Sequence, residues 1–325
     1  MVGVFSRARR VAPVAILVVA AFLLPFLLST QQESLLTRAL IFGAMAASLD
    51  LAYGQAGLYS LGHAALAGVG GYTAGLLMVR YEVQSFWLLM LAVAGASAAA
   101  SMAFALVSLR AKGLYFILVT LALGQMVANL AQQWDFLKTA QAEAVTGIVM
   151  PSLGFATIWN PGTVYQFVLV VVVVMLFTIQ RIIGSPVGLA LRGARENGVR
   201  MSALGYDVWR YRVAAIVLSG TLCGLSGALF AFHSGLIAPS NVGVAASGVL
   251  VLMAIIGGSG TRYGAFVGGV VVTLLQFYAS EWSMERAPMI VGVLFILTAL
   301  LIRFRPAAAS ALRGLLRGEA SHASA

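Results

Sequence analysis

The chain contains few charged residues and almost no cysteine. Of its 325 residues, 9% are charged and one, Cys223, is a cysteine. Soluble domains carry about 25% charged residues, so the composition excludes an ordinary soluble domain. A single cysteine excludes an intramolecular disulfide and argues against redox chemistry. Hydrophobic residues make up 61% of the chain and its mean hydropathy is +0.97, which indicates a membrane protein.

Motifs of catalysis and metal binding are also missing from the sequence. It contains no histidine pair at ligand spacing, no nucleophile elbow and no G-x-x-x-x-G-K-[ST] phosphate loop. We therefore expect no enzymatic activity, no ATP hydrolysis by this chain, no metal and no cofactor. The net charge of +10 is explained better by positive-inside topology than by nucleic-acid binding, and no nucleic-acid partner is expected.

Long apolar runs fill most of the chain. A helix needs about 20 apolar residues to cross about 30 Å of hydrocarbon. On that length the sequence predicts an all-α polytopic membrane protein with about ten transmembrane helices, at residues 12–29, 35–53, 63–79, 86–109, 114–132, 163–182, 213–233, 247–261, 263–280 and 287–302. We expect the whole chain, residues 1–325, to form a single membrane-spanning domain.

The distribution of charge predicts which side each loop faces. If residues 1–11 lie in the cytoplasm, ten spans place 16 of the 20 basic residues inside, together with the tail at 303–325. Such an excess is expected of cytoplasmic loops. The first apolar run follows three arginines, as in a signal peptide, but it is too long and lacks a cleavage site, which favours a retained span.

Two glycine-rich segments, at 54–62 and 257–260, interrupt the helical pattern. Irregular backbone at membrane depth must be buried in protein or line a wet cavity. Paired interruptions of this kind indicate a substrate path in transporters. Candidate path residues near these breaks and in the neighbouring spans are Asp50, Gln55, Tyr59, His63 and Gln125.

Structural roles are also open for parts of this set. Asp50 is a carboxylate within a span, and such acids are functional by default. It also lies within a turn of the cytoplasmic end, where it could cap or face water, and His63 could cap a helix. The small-residue ladders at 67/71/75, 220/224/228 and 264/268 predict close helix packing.

A strip with six arginines separates two apolar runs; these are Arg181, Arg192, Arg195, Arg200, Arg210 and Arg212. Ser185 and Pro186 predict a helix start, with serine as the N-cap and proline in the first turn. Gly205 predicts the helix end. Small and apolar residues recur on one face of this helix: Val187, Ala190, Leu191, Ala194, Gly198, Met201 and Gly205.

The same strip predicts only marginal stability for its helix. Glycines at 188, 193 and 198 each cost about 1 kcal/mol relative to alanine, so two short helices are an alternative to one. Such a helix needs a surface to lie against. Lipid headgroups or a soluble partner with a groove for a short helix would both provide one.

Several segments together resemble the branched-chain amino acid ABC transporter permeases of the LivM type. They are GLYSLGH at 57–63, GLALRGAREN at 188–197, ALGYDVWRYR at 203–212, SGTLCGLSGA at 219–228 and GGSGTRYG at 257–264. The resemblance covers most of residues 40–302. The 60–63 run and the arginine strip are fairly specific, whereas the small-residue helices are not.

The resemblance implies a permease subunit of an ATP-binding-cassette importer for branched-chain or related amino acids, multi-pass in the bacterial inner membrane. It implies four kinds of neighbour: a second homologous permease subunit, two cytoplasmic ATP-binding subunits, a periplasmic or extracellular solute-binding protein, and membrane lipid. Residues 183–212 would form the cytoplasmic coupling loop. Its candidate contacts to the ATPase are Leu191, Arg192, Ala194, Arg195, Glu196, Ala203, Gly205 and Tyr206.

The sequence also departs from the wider importer pattern and leaves alternatives open. Val199-Arg200-Met201 stands where Glu-Ala-Ala would belong, and Glu196 is the acid nearest to that place. Permeases for urea or amides look alike in the same segments. A proton-coupled secondary transporter would use Asp50 as the titrating group, and in a channel or scaffold the glycine breaks would only serve packing.

Overall fold

The structure, a computed structural model, describes residues 28–137, 143–152 and 161–282, with isolated positions at 21–23, 25, 289, 292 and 293. Within these residues the α-helices are α1 (Thr30–Asp50), α2 (His63–Tyr81), α3 (Phe86–Ser108), α4 (Leu114–Gln133), α5 (Pro161–Ile183), α6 (Pro186–Ala203), α7 (Val208–Ser234), α8 (Val244–Gly257) and α9 (Gly264–Trp282). A π-helical turn (Leu51–Gln55) follows α1, and two short 3-10 helices span Asp135–Leu137 and Pro239–Asn241.

One small sheet joins two of the loops. Strand β1 (Val145–Thr146) pairs antiparallel with β2 (Leu236–Ile237), with Val145 opposite Ile237. The β1 segment lies in the loop between α4 and α5, and β2 follows α7 closely. The pairing therefore ties that loop to the end of α7.

The prediction of an all-α polytopic membrane protein is confirmed. Seven segments of the described chain are long and apolar enough to cross a membrane: Thr30–Gln55, Phe86–Ser108, Leu114–Gln133, Gly162–Ile183, Val208–Ser234, Pro239–Gly257 and Gly264–Glu281. Most residues of the predicted spans at 12–29 and 287–302 fall outside the described residues. The total of ten spans and the sidedness of the two ends therefore stay predictions.

Helix α2 forms at the predicted span 63–79 but is not one of these seven apolar segments. Its many glycines and alanines make it less apolar, and 12 of its 19 residues are buried. It packs against α3, α4, α7 and α8. The protein, rather than lipid, therefore surrounds much of α2.

Helix α7 lies at the centre of the bundle and packs against α1, α2 and α3. Its glycines allow this close approach, as the small-residue ladders predict. A Cβ on Gly224 would collide with Ser97 of α3, and one on Gly227 with the backbone of Ala67 in α2. The ladder at 264/268 similarly brings α9 onto Gly257 of α8.

Several helix boundaries differ from the prediction: α1, for example, begins at Thr30 rather than 35. For two helices the structure shows the reason. Helix α7 begins at Val208 rather than 213, because the Asp207 side chain accepts a hydrogen bond from the Arg210 backbone amide and caps the new first turn. Helix α8 covers 244–257 rather than 247–261. It ends early because Gly258 and Gly260 adopt φ of +87° and +80°, which leave the helical region.

The chain divides into two compact units, residues 1–274 and 275–325. The first contains α1 to α8 and the first half of α9. In the second, the rings of Phe277 and Tyr278 pack edge to face with centroids 5.6 Å apart. Most of the second unit lies outside the described residues, so the single-domain organisation stays a prediction.

Candidate functional site

Helix α6 forms in the arginine strip with the predicted ends. Ser185 is the N-cap, its side chain accepts a hydrogen bond from the Gly188 amide, and Pro186 occupies the first turn. Gly205, at φ +87°, follows the last turn. Within the helix, Asn197 has extended backbone angles (φ −154°, ψ 91°). The alternative of two short helices in this strip is therefore the one observed, with the break at Asn197.

The first half of the small-residue face of α6 is buried against its own chain. Ala190, Leu191 and Ala194 are 5%, 0% and 3% exposed, whereas Gly205, at the far end of this face, is exposed. Leu191 belongs to an apolar cluster contributed by the π-helical segment and its loop, α3, α4 and α7: Ala52, Ala56, Leu58, Ala105, Phe116, Val213, Ala215 and Ile216. The membrane bundle itself thus provides a surface for the marginal helix, and Leu191 and Ala194 lie on the face of α6 that packs against it.

The opposite face of α6 is open. Arg192, Arg195, Glu196, Ala203, Gly205 and Tyr206 are all exposed. Three large apolar side chains share this exposure, with Leu189 61%, Val199 83% and Leu204 68% accessible. None of the three was predicted as a contact residue. Val199 could have been, because it follows Arg192 by seven residues and Arg195 by four, which places it on the same helix face.

Two arginines of α6 reach back to the bundle. Arg192 donates to the carbonyl oxygens of Ile183 (2.9 Å) and Gly188 (3.4 Å), so it satisfies a carbonyl at the end of α5. Arg195 donates to the carbonyl oxygen of Gly54, in the turn that follows α1. The helix is therefore held by polar contacts at its rim as well as by its buried apolar face.

Both predicted glycine breaks are present, and they meet. The first is the π-helical turn and the irregular segment up to Gly62, and the second separates α8 from α9. The Asp50 carboxylate accepts from the Gly260 amide at 2.9 and 3.1 Å. The Gln55 side-chain amide donates to the Gly260 carbonyl oxygen at 3.2 Å. Asp50 and Gln55, at the first break, thus hydrogen-bond both the backbone amide and the backbone carbonyl of Gly260 in the second break.

The other candidate path residues have separate surroundings. His63 is buried, and its Nε2 lies 2.6 Å from the Ser219 hydroxyl of α7. Tyr59 is 48% exposed, and its ring packs edge to face on Tyr53 at 4.7 Å. Gln125 lies on the exposed side of α4. The structure therefore brings Asp50 and Gln55 together but does not assemble all five residues into one site.

Helix α4 carries a polar stripe that includes Gln125. Gln125, Asn129 and Gln133 recur every four residues, all are exposed, and Gln125 donates to Asn129 Oδ1 at 3.0 Å. They line one shallow depression together with Leu121, Ala122, Met126 and Leu130. Asn129 and Gln133 were not predicted as path residues, although their four-residue spacing from Gln125 was visible in the sequence.

The described residues contain no group of three or more His, Cys, Asp or Glu side chains that could hold a metal ion. Some buried polar groups outside the glycine breaks bond one helix to another. Cys223, for example, is buried and donates its thiol to the His63 carbonyl oxygen at 3.4 Å. The polar features that remain are the junction of the two breaks, the open face of α6 and the stripe on α4.

Comparison with known proteins supports one family. The model of the family described as branched-chain amino acid transport system / permease component matches residues 32–299. The high-affinity branched-chain amino acid transport system permease protein LivM of Salmonella typhimurium is 25% identical over 304 residues, which cover 86% of this chain and 71% of the relative. LivM of Escherichia coli is 26% identical over 304 residues with the same coverage.

A second kind of permease is also similar to part of the chain. The probable branched-chain amino acid transport permease protein LivH of Methanocaldococcus jannaschii is 27% identical over 142 residues, 41% of this chain and 43% of the relative. The family match extends through α1 to α9, including both glycine breaks and α6. The chain therefore belongs to the branched-chain amino acid transport system permease component family.

Proposed function

We propose that this chain is the permease subunit of an ATP-driven importer that carries branched-chain or related amino acids across the bacterial cytoplasmic membrane. The observation that carries the proposal is α6: a short broken helix whose buried face is held by the bundle and whose open face presents apolar and basic side chains together. Family membership supplies the solute class, since the relatives are branched-chain amino acid permeases.

The open face of α6 is the proposed docking surface for a cytoplasmic ATP-binding subunit. Val199 and Leu204 are large apolar side chains that remain 83% and 68% exposed, next to Arg192, Glu196 and Tyr206. Exposed apolar groups rimmed by charged residues are typical of protein interaction sites. The residues buried under the helix, Leu191 and Ala194, contribute by fixing its position rather than by touching the partner.

The stripe on α4 is the proposed wall of the solute path. Gln125, Asn129 and Gln133 are exposed along a helix that is apolar enough to cross the membrane. Polar side chains in such a helix face protein or water rather than lipid. A second permease subunit packed opposite α4 would enclose the stripe, and its uncharged amides suit a zwitterionic solute that must be released again. A solute-binding protein on the outer face would deliver that solute.

Asp50 has a structural partner, which favours the ATP-driven importer over a proton-coupled carrier. Its carboxylate is 3% exposed and accepts hydrogen bonds from the Gly260 amide. A carrier that uses Asp50 as its titrating group would have to break this contact in each cycle. The surroundings of the candidate residues offer no comparable support for a urea or amide importer over one for amino acids.

Co-purification of the ATP-binding subunit tests the docking surface. Leu204→Asp places a charge on the open face without touching the buried one, and we expect the ATP-binding subunit to be lost from the purified complex. Leu236→Asp is the matched control. Leu236 is 40% exposed and lies beyond the opposite end of α7, so the ATP-binding subunit should remain bound. Retention of the subunit by both variants would contradict the docking assignment.

A further inference from the structure

We propose that Arg195 is a positioning residue that links α6 to both glycine breaks, so that a displacement of α6 moves the two breaks together. The inference rests on the proposed function, because α6 must be moved by an ATP-driven partner. It assigns a role to Asp50, Gln55 and the glycines around them that the docking surface and the solute path leave unexplained.

Two glycines leave room for the Arg195 side chain, because a Cβ atom at either position would crowd it. A Cβ on Gly57 would lie 2.8 Å from Arg195 Cγ, and one on Gly260 would lie 3.3 Å from its Nη1. Gly57 also adopts φ +70°, a conformation that favours glycine. The guanidinium reaches the carbonyl oxygen of Gly54 and donates a hydrogen bond to it. Glycine at these positions therefore gives the arginine its route from α6 into the junction.

The junction beyond Arg195 joins the two breaks through Gly260. The Asp50 carboxylate accepts hydrogen bonds from the Gly260 amide at 2.9 and 3.1 Å, and the Gln55 side-chain amide donates to the Gly260 carbonyl oxygen at 3.2 Å. A Cβ on Gly54 would collide with both the Asp50 carboxylate and the Gly260 amide. The segment after α1 and the segment between α8 and α9 are thus held in direct contact. Gly54 packs against both the Asp50 carboxylate and Gly260, and Arg195 donates to the Gly54 carbonyl oxygen.

Arg195 spans the distance between the outer side of α6 and the bundle. The residue is exposed on the α6 side, and its guanidinium ends at the Gly54 carbonyl oxygen. Asp50, which is 3% exposed, holds the Gly260 amide beside Gly54. The arginine therefore connects the exposed helix to a buried polar contact.

The hydrogen bonds of the irregular backbone explain why the two glycine breaks would move together with α6. Irregular backbone at membrane depth must have internal hydrogen-bond partners. Arg195 supplies the partner for the Gly54 carbonyl, and Asp50 supplies it for the Gly260 amide. If α6 moved alone, the Gly54 carbonyl would lose its donor. Joint movement keeps this hydrogen bond and would transmit the motion of α6 to α1, α8 and α9.

The ratio of solute transported to ATP hydrolysed tests the positioning role of Arg195. The complete complex, reconstituted in proteoliposomes with its binding protein, is given radiolabelled leucine and ATP. The Arg195 guanidinium bonds the Gly54 carbonyl in the bundle, so we do not count it among the docking groups of the open face. We therefore expect Arg195→Ala to keep the ATP-binding subunit at wild-type stoichiometry but to lower leucine uptake per ATP at least about fivefold, the lower end of typical site-to-site coupling. Arg195→Lys should recover part of the ratio, since lysine keeps the charge but not the planar fork of donors.

Two further variants keep the experiment decisive. Arg181→Ala is the matched control: Arg181 lies at the end of α5 over the Phe177 ring, so its loss removes the same charge without touching the junction, and the ratio should stay at the wild-type value. Asp50→Ala removes the acceptor of the Gly260 amide and so disrupts the junction from the other side; it should lower the ratio in the same direction. If Arg195→Ala does not fold, Asp50→Ala decides, and a wild-type ratio there overturns the inference.

The outcomes separate this inference from the proposed function. A wild-type ratio in a folded Arg195→Ala complex would overturn the inference, and so would loss of the ATP-binding subunit from that variant, because Arg195 would then be a docking contact. A wild-type complex that hydrolyses ATP without taking up leucine would refute the proposed function, and this inference would fall with it.

Discussion

Single glycines set how closely the helices of this bundle approach. A Cβ on Gly70 of α2 would collide with the Gly224 backbone of α7, and one on Gly227 with the Ala67 backbone. Backbone atoms cannot move aside as the end of a flexible side chain can. Gly248 of α8, by contrast, has nothing within 4 Å of its added Cβ. The same residue type therefore has different importance at different positions.

Gly70→Ala should destabilise the protein, whereas Gly248→Ala should not. We expect Gly70→Ala to cost about 1–3 kcal/mol, the usual range for overpacking a well-packed interior. Gly248→Ala should leave stability unchanged or raise it by up to about 1 kcal/mol, because alanine is the better helix former. Thermal unfolding of the purified chain in detergent measures the difference. Equal midpoints for the two variants would contradict the close packing of α2 on α7.

The capping signals within the arginine strip were readable from the sequence, but the burial of its helix was not. Ser185, Pro186 and Gly205 act locally, so their spacing predicted where α6 begins and ends. The partners of Leu191 come from Ala52, Phe116 and other distant positions, and only the assembled bundle brings them together. Contacts such as Asp50 to Gly260, 210 residues apart, are likewise invisible to local patterns.

At the scale of elements, α6 consists of two segments that meet at Asn197. The Asn197 side-chain oxygen accepts a hydrogen bond from the Arg200 amide at 2.9 Å. Asn197 therefore acts as an N-cap for the second segment, which carries the exposed Val199 and leads to Leu204. The cap therefore stabilises the segment that carries these two exposed apolar side chains.

Asn197→Ala should loosen the second segment of α6, and Asn197→Asp should not. Alanine removes the capping oxygen, at a typical cost of about 1 kcal/mol, whereas aspartate keeps it. We expect faster amide hydrogen exchange across residues 198–204 in the alanine variant. Exchange in the first segment, which is held by Leu191 and Ala194, should stay unchanged. Identical exchange in both variants would show that Asn197 does not cap this segment.

At the largest scale that the described residues cover, the unit of residues 1–274, a tightly packed membrane bundle carries the exposed, broken helix α6. Helix α7 centres the bundle, the two glycine breaks meet beside it, and α6 covers them. Composition and run lengths predicted the all-α membrane architecture because hydrophobicity depends on each segment alone. The meeting of the breaks and the open polar stripe on α4 depend on how the helices are arranged, which run lengths do not determine.

The most direct test of the account labels one cysteine on the open face of α6. In Val199→Cys, the native Cys223 stays buried and unreactive, so a membrane-impermeant maleimide reports on position 199. We predict labelling in inside-out vesicles stripped of the ATP-binding subunit, protection when that subunit is added back, and no labelling in right-side-out vesicles. Labelling from the outer side, or equal labelling with and without the ATP-binding subunit, would contradict the account.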